Sequence, residues 1–309
     1  MSHSSPLRRL ALPLWLLAAI ACQPAEEKAA MAGPLKLEEL KNGTYTGFGS
    51  AEGSVTLAGG RWEGQPFMPG GATVPMVVFV GDFHLLADLD GDAAEEAAVL
   101  LAENQGGTGE RIYLAVVDRK DGAAVNTATV LLGDRVDLRD GRIEGSEIVL
   151  DLVQAAAEDG ACCPGDLVTR RWTLADGALI EGAVAVTGRL GPEVLAGTDW
   201  VLRTWTATEP APAEPAVTLV YQERSLAGNA GCNQYTAGVT AGQTAGEITV
   251  GPAAVTRKMC PDPEMAVENR FLKQLAGVTQ FSFMAGELAL AYQTDGAFGV
   301  MFFRRVQVH

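Results

Sequence analysis

Short apolar runs, broken at close intervals by glycine, aspartate and asparagine, leave this chain few architectures other than β-sheet. The clearest runs are Val74–Val80, Ala97–Ala102, Ile112–Val117, Thr127–Leu132, Ile148–Leu152 and Leu167–Leu174. Each is strand-sized and too short for an ordinary helix. The 36 glycines supply the turns that so many short strands need, and 309 residues are enough for two domains. The expected fold is therefore mainly β (α+β), with two β-rich domains.

The first residues follow a different rule. Arg8 and Arg9 precede the apolar stretch Leu10–Ile20, which ends in small residues at Ala21-Cys22. A basic start, a brief apolar stretch and a small-residue exit make a secretory signal; a bilayer-spanning helix needs roughly 20 apolar residues. The exit resembles the lipobox of bacterial lipoproteins, with alanine at position 19 where leucine is commoner. The resemblance implies a signal peptide over 1–21, removed before Cys22, and acylation of Cys22 by palmitate-type chains. Residues 22–34 lack apolar periodicity and read as a tether. Gln23 stands where that family uses aspartate for inner-membrane retention. The implied location is thus the cell envelope, lipid-anchored in the outer membrane and facing the periplasm.

Charge and histidine content narrow the functions. The formal charge is −15, and removing a leader with two arginines and no acid makes it −15 − 2 = −17. So acidic a surface repels phosphates, which argues against nucleic-acid partners. Beyond the leader only His84 and His309 remain. Ser-His, Cys-His and histidine-rich zinc chemistry would all have to rest on His84. Its setting, Val78-Phe-Val-Gly-Asp-Phe-His84, reads as a strand with a satisfied ring.

The C-terminal part carries ordered motifs. Trp200 opens it; Gly231-Cys-Asn-Gln-Tyr235, Thr256-Arg-Lys-Met-Cys260 and Glu268-Asn-Arg-Phe-Leu-Lys-Gln-Leu275 follow. This order resembles the META, or HslJ-like, domain over nearly all of residues 195–305. The resemblance implies a small β-rich unit spanning 192–309, common in lipoproteins and periplasmic proteins and linked to stress response and antibiotic tolerance. It implies no agreed activity, and it makes Asn233 and Tyr235 candidates for a shared binding surface.

The residues support that architecture independently. Apolar groups at 267, 271, 275 and 278 give one helical face, with Pro263 in the first turn and Glu264 and Glu268 near the positive end of the helix dipole. These acids therefore read as stabilising groups ahead of a catalytic pair. The tail alternates as a meander: Phe281 and Phe283, then Leu288, Leu290 and Tyr292, then Phe298, Val300 and Phe302, separated by Ala285-Gly286 and Asp295-Gly296 turns. These sets are expected to share one buried face. Cys232 and Cys260 can form a disulfide in an oxidising compartment; two buried thiols or a metal site are the alternatives.

Residues 35–191 form the other domain. Leu35–Lys41 starts it as a short helix or strand. Leu131-Leu-Gly-Asp-Arg135, Glu158–Pro164 and Arg170–Leu174 resemble an uncharacterised module of secreted bacterial proteins. Gly106–Gly109 lies between two apolar runs and lacks a following helix and lysine, so it reads as a hairpin connection and not a phosphate loop. The adjacent Cys162 and Cys163 form an oxidised pair, remain free thiols, bind a soft metal or exchange with Cys232 and Cys260.

One loop in this domain has ligand chemistry. Asp88, Asp90, Asp92, Ala94 and Glu96 fall at positions 1, 3, 5, 7 and 9 of a segment that resembles calcium loops of EF-hands and FG-GAP repeats. A hard cation takes six to eight oxygens, here from carboxylates and the Ala94 carbonyl. A full EF-hand fails, because Ala93 replaces glycine at position 6 and Val99 replaces glutamate at position 12. A solvated acidic turn is the alternative to bound Ca2+. The expected function is that of a membrane-anchored, non-catalytic lipoprotein without a required cofactor, binding an envelope protein or small ligand. A calcium- or ligand-sensing protein is the second reading, and a thiol redox or hydrolytic enzyme the third.

Overall fold

The computed structural model describes Met1 and residues 33–49, 53–160 and 163–306. The leader and Cys22 lie outside the described residues.

The N-terminal unit opens with α1 (Leu37–Lys41) and the paired β1 (Thr44–Thr46) and β2 (Ser54–Thr56). Next comes an antiparallel sheet of β3 (Arg61–Glu63), β4 (Met76–Ala87), β5 (Glu96–Asn104), β6 (Arg111–Lys120) and β7 (Ala123–Asp134), in chain order. Then β8 (Asp137–Glu144), β9 (Glu147–Gln154), β10 (Asp166–Ala175) and β11 (Ala178–Glu181) pair in sequence, and β12 (Ala185–Arg189) joins the free part of β10. Gly106–Gly109 is a hairpin connection, between β5 and β6.

The unbroken apolar run of β5 follows from burial on both faces. Ala98, Leu100 and Ala102 point into a core shared with Ile148, Leu150, Leu152 and Trp172 of the second sheet. Ala97, Val99 and Leu101 point the other way, onto Leu40, Tyr45 and Val55 of the α1–β2 cap. Only a strand that is covered twice can be apolar at every position and still be stable in water.

The C-terminal unit is a nine-stranded antiparallel sheet with one main helix. Its strands are β13 (Trp200–Thr204), β14 (Thr218–Gln222), β15 (Ser225–Asn229), β16 (Gln234–Ala241), β17 (Ile248–Val250), β18 (Ala254–Val255), β19 (Val278–Met284), β20 (Glu287–Thr294) and β21 (Ala297–Arg305). The path runs β17-β16-β15-β14-β13-β21-β20-β19, with β18 on β16. A bridge between Glu247 and Gln280 and a hydrogen bond from Phe281 N–H to Gly246 O (2.8 Å) bring the two ends together, so the sheet curls into a nearly closed barrel. The helix α2 (Asp262–Ala276) buries Phe271 and Leu275 in that barrel, where Tyr235 and Phe303 meet the Phe271 ring. Pro263 lies in its first turn, and Val278, expected on its apolar face, instead begins β19.

The last strand corrects the expected meander face. Leu288 pairs with Phe303, Leu290 with Met301 and Tyr292 with Gly299, so Phe303 and Met301 share the core side with Phe281 and Phe283. Phe298, Val300 and Phe302 face the opposite way, and Phe298 is 74% exposed. The turns themselves are as expected: Ala285-Gly286 and Asp295-Gly296 both adopt the paired positive φ of tight hairpins. The two units pack together. Val153, Leu167 and Leu190 join the C-terminal core, and Arg305 reaches Asp140 Oδ2 (3.0 Å) and the Arg139 carbonyl (2.8 Å).

Candidate cation-binding loop and the cysteine-bound cluster

The β4–β5 hairpin carries Asp88–Glu96 at its end. Amides of the loop fix its acids. Asp88 accepts from Gly91 N–H (2.7 Å) and Ala93 N–H (3.1 Å), and Asp90 from Asp92 N–H (3.2 Å). Asp92 accepts from Ala94 N–H (2.8 Å). Ala93 adopts φ +69°, the conformation that glycine would supply at that position. Its identity therefore does not prevent the turn, although it costs strain.

The hairpin brings three of the acids together. One carboxylate oxygen each from Asp88, Asp90 and Glu96 lies within 4.8 Å of the others. Of the five residues read from spacing, Asp92 is not in that cluster. Glu96 is the first residue of β5 and is fully buried. Its Oε2 accepts from Leu89 N–H (2.8 Å), whereas Oε1 has no hydrogen-bond partner. Burial pushes its carboxyl up to about 7; the Leu89 amide opposes that shift, and Asp90, Asp118 and Asp92 add to it. Asp90 is raised too, by burial and then by Asp92. Asp118 belongs to this field through strand pairing: Ala97 opposes Val117, which sets Asp118 beside Glu96. Loop spacing could not reveal it, because it lies on a different strand.

His84 sits on β4, half-buried, and its Nδ1–H donates to the Asp82 carbonyl (2.8 Å). It takes no part in the acid cluster.

In the C-terminal unit Cys232 and Cys260 form a disulfide with Cα atoms 6.0 Å apart. Closing a loop of this length contributes about 3–4 kcal/mol. Beside it, Asn233 acts as a hub. Its Oδ1 accepts from Lys258 N–H (2.7 Å) and the Thr256 hydroxyl (2.8 Å), and its Nδ2 donates to Lys258 O (3.1 Å) and Glu268 Oε1 (3.2 Å). Glu268 Oε2 accepts from Asn233 N–H (2.7 Å). Tyr235 donates to Thr218 O (3.0 Å). Asn233 and Tyr235 are each 2% exposed, so the expected shared surface is corrected: both residues hold the interior together. Residues 193–305 match the family model of the META domain.

The C-terminal unit is a META domain.

Its Gly-Cys-Asn-x-Tyr and Thr-x-x-Met-Cys segments thus meet at one disulfide, and its helix supplies the acid that receives both Asn233 donors. No curated protein matches the chain. Two solved structures are similar to it. One, an NMR structure of a protein from Burkholderia xenovorans, is 24% identical, with 41% of this chain and 97% of that chain covered and a TM-score of 0.31. The other, also by NMR, is 22% identical, with 37% and 94% covered and a TM-score of 0.30. Outside the META domain, Cys163 is disulfide-bonded, and Cys162 lies outside the described residues.

Proposed function

We propose that this chain is a non-catalytic lipoprotein of the cell envelope, anchored through Cys22 and facing the periplasm from the outer membrane. The reading is carried by the pairing of a META domain with a leader pattern that ends at Cys22. The Cys232–Cys260 disulfide supports it, because disulfides persist in oxidising compartments. The scarcity of histidine supports a binding role over catalysis, and the META resemblance supports a part in envelope stress or antibiotic tolerance. Two acyl signals on one residue hold a protein at a membrane far more firmly than a single chain does.

The test is metabolic labelling with a palmitate analogue, followed by fractionation. Wild type should incorporate label and sediment with membranes, and Cys22→Ser should do neither. An unlabelled wild-type chain in the cytosol would overturn the reading.

A further inference from the structure

The carboxylate of Glu96 is out of place for a residue that only opens a strand. It is fully buried beside an apolar core, and one of its oxygens has no partner. A desolvated carboxylate oxygen without a donor is costly, and buried polar atoms of folded proteins are nearly always satisfied. Asp88 and Asp90 each bring a carboxylate oxygen within 4.8 Å of a Glu96 oxygen, and Asp118 adds charge from the neighbouring strand. Lys120, 3.5 Å from Asp118, offsets part of this field. Such convergence of like charge is unfavourable unless a cation joins it.

We infer that Asp88, Asp90 and Glu96 are the protein ligands of a single calcium ion, held between the β4–β5 hairpin and the edge of the core. Ligand demands favour calcium. Ca2+ accepts an irregular shell of carboxylate and water oxygens, whereas Mg2+ requires near-ideal octahedral geometry and gives up water reluctantly. Three carboxylates fall short of a full calcium shell, and water can complete it. A weak site follows, with a dissociation constant on the order of 0.1–1 mM, the range of extracellular modules. Asp92 is left out of the ligand set because its carboxylate is not among the converging oxygens. This inference stands apart from the envelope reading and does not require acylation at Cys22.

The test is calorimetric titration of the purified protein with Ca2+ and with Mg2+, paired with thermal melts in each ion and in chelator. Wild type should bind one Ca2+ per chain, melt higher in Ca2+ and bind Mg2+ at least about tenfold more weakly. Glu96→Gln and Asp90→Asn should each weaken Ca2+ at least about tenfold, and Asp92→Asn less than about threefold. Melts in chelator show whether each variant folds, and exposed Asp90 keeps the test open should Glu96→Gln unfold. The inference is overturned if wild type neither binds nor shifts in melting at about 10 mM Ca2+, a concentration well above the expected range. Equal affinity for Mg2+, or wild-type affinity in folded Glu96→Gln and Asp90→Asn, would overturn it as well.

Discussion

Two buried glutamates, one in each unit, have opposite surroundings. Glu268 lies on α2 of the META domain, and both its oxygens receive donors from Asn233. Glu96 lies at the start of β5, and only one of its oxygens receives a donor. The first belongs to a closed network next to a disulfide. The second brings a carboxylate oxygen within 4.8 Å of Asp88 and Asp90 oxygens. Burial of an acid alone therefore says little about its role; the partner of its second oxygen separates a structural acid from a ligand.

The largest expected effect comes from removing the satisfied acid. Glu268→Ala leaves the buried Asn233 amide without its acceptor and removes one acceptor of Nδ2, which keeps Lys258 O; it should cost about 3 kcal/mol in chemical denaturation. Glu96→Gln should instead leave stability in chelator unchanged or raised, since it removes a desolvated charge beside other acids. If both substitutions cost the same, the contrast between the two glutamates fails.

Opening the disulfide should rank beside Glu268→Ala. Cys232→Ser with Cys260→Ser should lose about 3 kcal/mol, read as a lower melting temperature. Reductant should lower wild type at least as far, since it opens the Cys163 disulfide as well.

A third acid gives an intermediate case and a smaller effect. Asp159 accepts from Ala156 N–H (2.8 Å), Gly165 N–H (2.9 Å) and the Arg189 guanidinium, fastening the segment that contains Cys163. Arg189 first, and then the Ala156 amide, hold its carboxyl down at about 2. A depressed carboxyl stabilises the fold fully above its unfolded pKa of about 4. That contribution should fade as pH falls from about 4 to about 2. Asp159→Asn should cost about 1–2 kcal/mol at neutral pH and only a small part of that at pH 2, where the folded carboxyl is half protonated, as measured by denaturation at both values.

Much of this was legible from sequence, and the gaps have identifiable causes. Strands such as Ala97–Ala102 announce themselves because burial on two faces demands an unbroken apolar run. The META motifs are legible because Gly231, Cys232 and Asn233 meet Cys260 and Glu268 in one network. The face of β21 was not legible, since Phe302 and Phe303 are adjacent and either alternating set contains an aromatic. The Asp295-Gly296 turn sets the register that decides it. Asn233 and Tyr235, polar and next to a turn, look suited to a surface; their burial depends on the distant Thr218, Lys258 and Glu268. Spacing also counted Asp92 as a ligand and passed over Asp118. Loop position does not encode which way a carboxylate turns, and pairing between β5 and β6 is not local in sequence.

Carboxyl carbon NMR of Glu96 and Glu268, followed in one calcium titration, tests the account most directly. The Glu96 signal should move and saturate with Ca2+ while that of Glu268 stays in place. A stationary Glu96 signal at saturating calcium, or equal movement of both, would contradict it.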